Sequence, residues 1–134
     1  MKILLPLFIL FSTITAFSQT NLPDKGSLAD IKGKTKIYIS ADAINSKYIE
    51  SEIVKHKSLS LAKSADTADF FIEYKSIETT YASSLHLPIE TGQIDVYFFR
   101  DKKKVIVWSK GDTKGNKGPA PSLLKQFLKE FEKK

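Results

Sequence analysis

The stretch from Gln93 to Lys110, QIDVYFFRDKKKVIVWSK, limits the possible fold more than any other part of the chain. Side chains alternate faces along a strand, so Ile94, Val96 and Phe98 share one side, and Asp95, Tyr97 and Phe99 the other. The first set is wholly apolar. The run breaks at a charged turn over Asp101 to Lys104 and resumes at Val105. This predicts a hairpin with Phe99 opposite Ile106, Phe98 opposite Val107, Tyr97 opposite Trp108 and Asp95 opposite Lys110. Aromatic and opposite-charge pairs of that kind contribute about 0.2–1 kcal/mol each. Such a hairpin has one aliphatic and one aromatic, amphipathic face, and the aliphatic face must be covered.

Two segments can cover it. Ile44, Tyr48, Ile49 and Ile53 recur at helical spacing behind Asp42, whose carboxylate suits an N-cap, and they predict a helix over Ala43 to Lys57. Leu124, Phe127, Leu128 and Phe131 fall at i, i+3, i+4 and i+7, and predict a second helix over Pro119 to Glu132. Further strands are expected at Thr35 to Ser40, Ser58 to Ala62 and Ala68 to Thr80. In the last of these, burying Phe70, Ile72 and Tyr74 leaves the charged Glu73 and Lys75 outside with Phe71. The order is strand, helix, four strands, helix. It implies an α+β fold: a mixed, mostly antiparallel five-stranded sheet with two helices packed on one face. Residues 81–92 and 111–118, with their prolines, glycines and charges, are expected to be loops.

The N-terminus has Lys2, an apolar run from Ile3 to Phe11, and small or hydroxyl residues to Ser18. That order predicts a signal peptide cut between Ser18 and Gln19, with an extended lead-in over residues 19–34 and a single domain over 35–134. The apolar run falls short of the ~20 residues that cross a bilayer, so no transmembrane anchor is expected after cleavage. The expected location is periplasmic or secreted. There is no cysteine, which removes disulfide staples, thiolate metal sites and thiol catalysis, and leaves the core to hold the fold.

Residues 68–70, Ala-Asp-Phe, open a long strand. Gly92 precedes an apolar strand, and Val107-Trp108-Ser109 is followed by the terminal amphipathic helix. In this pattern the chain resembles small uncharacterised exported envelope domains of Gram-negative bacteria. The resemblance implies a fold and a compartment, and carries over no catalytic residues.

Charge is uneven. From Gln19 to Phe99 there are nine Lys against eleven Asp or Glu, whereas from Arg100 onward eleven basic residues face four acidic ones. Only one of those eleven is Arg, the residue best shaped to fork a phosphate, and export argues further against nucleic acid. No cofactor is expected. The two histidines, His56 and His86, lack the helical spacing of a metal pair. The 81–92 segment contains Ser84 and His86, which suggests a hydrolase, but no Gly-x-Ser-x-Gly turn holds the serine. The Gly111 to Gly118 stretch lacks the spacing of a phosphate-binding loop.

The aromatic sheet face is the feature left to explain. Phe71, Tyr97, Phe99, Ile106 and Trp108, helped by Lys102, Lys103 and Lys104, form the expected ligand or partner surface of a non-catalytic envelope interaction module. Its expected partner is an envelope protein, a peptide or a glycan. The alternatives are a small hydrolase using the 81–92 segment and a structural homodimer. Coverage of the face by the lead-in would remove it as a binding surface.

Overall fold

The computed structural model describes residues 22–82 and 86–133; the expected signal segment and its cut lie outside them, as do Ser83 and Ser84. Six strands form one sheet in the order β1-β6-β5-β4-β2-β3. They are β1 (Asp24–Lys25), β2 (Lys36–Ser40), β3 (Ser60–Leu61), β4 (Phe70–Ala82), β5 (Leu87–Arg100) and β6 (Lys103–Gly115). Helices α1 (Ala43–Val54) and α2 (Ala120–Glu132) pack on one face. The α+β class with its mixed sheet is as the sequence implies, with one strand more than the expected five.

The extra strand comes from the lead-in. Asp24 and Lys25 pair parallel with Val105 and Ile106 of β6, and a short 3-10 turn follows at Leu28–Ile31, sealed by the Ser27 amide donating to Asp30 Oδ2 at 2.8 Å. Ile31 is buried in the helix-side core. Gly26 lies so close to Asp30 and Val105 that a Cβ would collide with the Asp30 carboxylate and Val105 Cγ1. The lead-in therefore covers the β6 edge at Val105 and Ile106 and adds Ile31 to the helix-side core; among the described residues it does not cross the aromatic face.

The Ala68-Asp69-Phe70 motif has a structural use. Asp69 accepts the amides of Thr35 and Lys36 at 3.1 and 3.0 Å, and its own amide reaches the Lys36 carbonyl at 2.8 Å. This clamps β2 beside β4 in parallel. These backbone donors favour the carboxylate and hold its pKa below the ordinary value. The Asp42 cap is also present, its carboxylate accepting from the amides of Ile44 and Asn45. Of the expected α1 stripe, Ile49 and Ile53 are fully buried, whereas Ile44 is 82% exposed. The helix ends at Val54, short of the expected Lys57. In α2, Leu123, Leu124 and Phe127 enter the core.

The hairpin register differs from expectation in two ways. Its loop has only two residues, Asp101 and Lys102, both at positive φ (52° and 65°), the conformation that matches strand twist across a two-residue turn. Phe99 therefore faces Lys104, and Tyr97 faces Ile106. A bulge then inserts Val107, so Val96 faces Trp108, Asp95 faces Ser109, and Ile94 faces Lys110. With two residues opposing one, both Val107 and Trp108 are buried. Trp108 lies 5.5 Å from the Phe127 ring, and its Nε1–H donates to Glu130 Oε2 at 2.9 Å. Lys110 donates to the other Glu130 oxygen at 2.8 Å and does not pair with Asp95.

The two expected loops are largely strand. β4 continues to Ala82, β5 begins at Leu87 and β6 runs to Gly115. Thr91 and Thr113 share a hydroxyl hydrogen bond of 2.8 Å, and Glu90 faces Lys114. Where this extension begins, Gly92 leaves room for the Tyr74 ring, which a Cβ would strike.

Candidate functional site

The sheet face away from the helices is built in cross-strand rows. Strand registers align Ile106, Tyr97, Phe71 and Tyr38 across β6, β5, β4 and β2. The next row toward the open end of the hairpin is Ser109, Asp95, Glu73 and Ser40, followed by Gly111, Gln93 and Lys75. An apolar band thus borders a polar one.

Within the apolar band the rings have fixed partners. Phe71 and Tyr97 stack with centroids 5.1 Å apart and planes 6° from parallel. Tyr38 meets Phe71 edge-on at 5.9 Å, and Phe99 meets both Phe71 and Tyr97 edge-on at 5.4 and 5.7 Å. The Lys104 ammonium sits 4.0 Å from the Tyr97 centroid, within cation–π range. Tyr97 is consequently buried although it belongs to the solvent face, and Phe99 remains 53% exposed. Burial is the main cause of the raised Tyr97 pKa, with the nearby Glu73 and Asp95 carboxylates adding to it.

The polar band is equally well connected. Asp95, only 5% exposed, accepts Ser109 Oγ at 2.5 Å and Gln93 Nε2 at 2.7 Å. Glu73 stands directly opposite it on β4. Lys75 bridges the two carboxylates at 3.1 Å to Glu73 and 3.9 Å to Asp95, and Lys104 adds a third contact at 3.7 Å to Glu73. The hydrogen bond to Glu73 is the first cause of the raised Lys75 pKa. A burial cost that unpaired carboxylates could not sustain is offset by these pairings.

Phe71, Tyr97, Phe99, Ile106 and Lys104 therefore meet on one surface, and Tyr38, Glu73, Lys75 and Asp95 join them. Trp108 does not: the bulge turns it to the helix side, where it is 7% exposed. Lys103 is drawn to the β1 edge by Asp24 at 3.0 Å, and Lys102 occupies the turn. The three lysines thus diverge and form no common cationic patch. The Glu73–Lys75 pair and Asp95 were each visible in the sequence as outward-facing charges; the β4–β5 register, which sets Asp95 opposite Glu73, brings them together, and the β6 bulge supplies Ser109 in place of the expected Lys110. His86, immediately before β5, has φ 48°.

No protein-family model and no curated protein matches the sequence. Among solved structures, a PelC dodecamer from Paraburkholderia phytofirmans is similar with a TM-score of 0.51 at 13% identity, covering 82% of this chain and 93% of that one. A hypothetical protein from Chlamydia trachomatis gives 0.46 at 13% identity over 61% and 72% of the two chains. A lipoprotein from Neisseria meningitidis gives 0.38 at 9% identity over 75% and 99%. At these identities the first likeness concerns the fold alone.

Proposed function

We propose that this chain is a non-catalytic interaction module of the bacterial envelope, and that a protein partner packs on the face formed by Tyr38, Phe71, Tyr97, Phe99 and Ile106. The observation that carries this reading is the aromatic row, which neither helix crosses and which the described part of the lead-in leaves bare. The ring geometry selects among partner classes. A sugar ring stacks on an open aromatic face. Here one face of Tyr97 is taken by Phe71 and the ring also carries Lys104, while Phe71 is further enclosed by Tyr38 and Phe99. Ring edges and the exposed Phe99 are what the surface offers, and packed apolar side chains of a protein fit such edges better than a saccharide does. The signal-like N-terminus supports the compartment.

The test is capture from envelope extract with the wild type, with Phe99→Ala, and with Ile44→Ala as a control on the opposite layer. The reading expects a partner retained by the wild type and by Ile44→Ala but lost with Phe99→Ala. Equal retention by all three variants, or preferential capture of glycan, would overturn it.

A further inference from the structure

The part of the sheet beyond the helices is an arm of three strands, comprising β4 from Ser76, β5 up to Gly92 and β6 from Gly111. Nearly all of its residues are exposed or half-buried. Among the described residues its two edges are also open. β2 pairs with β4 only as far as Glu73, and β1 with Gly26 reaches only Ile106 of β6. An open edge presents unpaired amides and carbonyls to any strand that can align with it, and proteins usually blunt such edges. The β4 edge is blunted by the bulge between Ser76 and Glu78. The described β6 edge has no such break from Trp108 to Gly115. The chain that follows does not obstruct it, because Gly118 tucks against Glu90 on the helix side.

The charge pattern of the β6 edge points to its occupant. Lys110, Asp112 and Lys114 alternate with small or hydroxyl residues. When such a strand meets a second copy antiparallel about Thr113, Asp112 faces Lys114 twice and no like charges oppose each other. A register centred on Asp112 would oppose two aspartates and set Lys110 against Lys114. Lys110 is already committed to Glu130 at 2.8 Å, whereas Lys114 has a 3.8 Å contact with Asp112; Asp112 also accepts the neighbouring Thr113 amide at 2.8 Å, a local bond that pairing with a second copy would exchange. We infer that two copies of this chain pair antiparallel through their β6 arm edges about Thr113, forming a two-fold dimer with a continuous sheet. The axis of such a pairing is perpendicular to the sheet, so the aromatic faces of the two copies lie on the same side. This goes beyond the proposed partner reading and uses a different surface.

Sedimentation velocity of the chain starting at Gln19, over a wide concentration range, tests the inference. The wild type should convert from monomer to dimer. Asp112→Lys should weaken dimerisation by about tenfold or more, because two attractive pairs become repulsive. The exchange Asp112→Lys with Lys114→Asp should recover it, and Phe99→Ala should leave it unchanged. A wild type that stays monomeric, an Asp112→Lys protein that dimerises as the wild type does, or a charge exchange that fails to recover the dimer would each overturn the inference. Loss of the dimer with Phe99→Ala would move the interface to the aromatic face and would overturn it as well.

Discussion

The two faces of the sheet use alternate residues of the same strands and solve opposite problems. Under the helices, Phe70, Ile72, Ile94 and Val96 are fully enclosed by Ile49, Ile53, Leu123, Leu124 and Phe127 of the second layer. On the bare side, Phe71 and Tyr97 have no second layer among the described residues and enclose each other, with Lys104, Phe99 and Tyr38 completing the set. The first face is held by depth and the second by lateral contact. An aromatic row can therefore look like core in its burial while its outer rim stays available to another molecule. The polar band beside it follows the same logic, since Asp95 is buried by its neighbours within one plane of side chains.

The adjacent pair Phe70 and Phe71 sets these two modes against each other. Phe70→Ala leaves a cavity that the helix layer cannot fill and should cost about 3–5 kcal/mol in denaturant unfolding. Gly92→Ala should cost about 1–3 kcal/mol, because its Cβ drives into the Tyr74 ring on the helix side, where nothing can yield cheaply. Phe71→Ala removes lateral aromatic contacts and part of a half-buried side chain, and should cost about 0.5–1.5 kcal/mol in the same measurement. If Phe71→Ala proved as costly as Phe70→Ala, the bare face would be core in the full sense and the distinction would fail.

A smaller effect reports on the rim of the helix side. Lys110 first, and the Trp108 indole second, hold the Glu130 pKa below its ordinary 4.5. A depressed carboxylate contributes stability that is present above its unfolded-state pKa and is lost as pH falls through the lower folded-state value. Acid titration followed by Trp108 fluorescence should therefore show a transition below pH 4.5, and Glu130→Gln should remove it. Persistence of that transition in Glu130→Gln would assign it to another group.

Face assignment was legible wherever residues alternate cleanly. Phe70, Ile72 and Tyr74 read as inner, Phe71 and Tyr97 as outer, and the α2 stripe marks the covering layer. Register was not legible, because a two-residue turn at Asp101-Lys102 and an inserted Val107 depend on backbone geometry that composition does not encode. The price of that one extra residue was Trp108, which alternation alone assigned to the wrong face. The arm was hidden for a different reason. Glycines, Pro88 and scattered charges resemble loop, while the pairs that make them strand, Thr91 with Thr113 and Glu90 with Lys114, are 22 and 24 residues apart in sequence and become neighbours only after the register is set. The lead-in concealed its strand similarly, since two residues beside Val105 and Ile106 carry no periodicity.

The most direct test of the bare face is a photo-crosslinking residue introduced at position 99 in the producing cell, compared with one at position 44 on the far side of the helix layer. Phe99 is 53% exposed and Ile44 82% exposed, so simple accessibility favours the control. The account predicts a discrete adduct to another protein from position 99 and none from position 44. No adduct from position 99, or one formed only with the chain's own N-terminal residues, would contradict it.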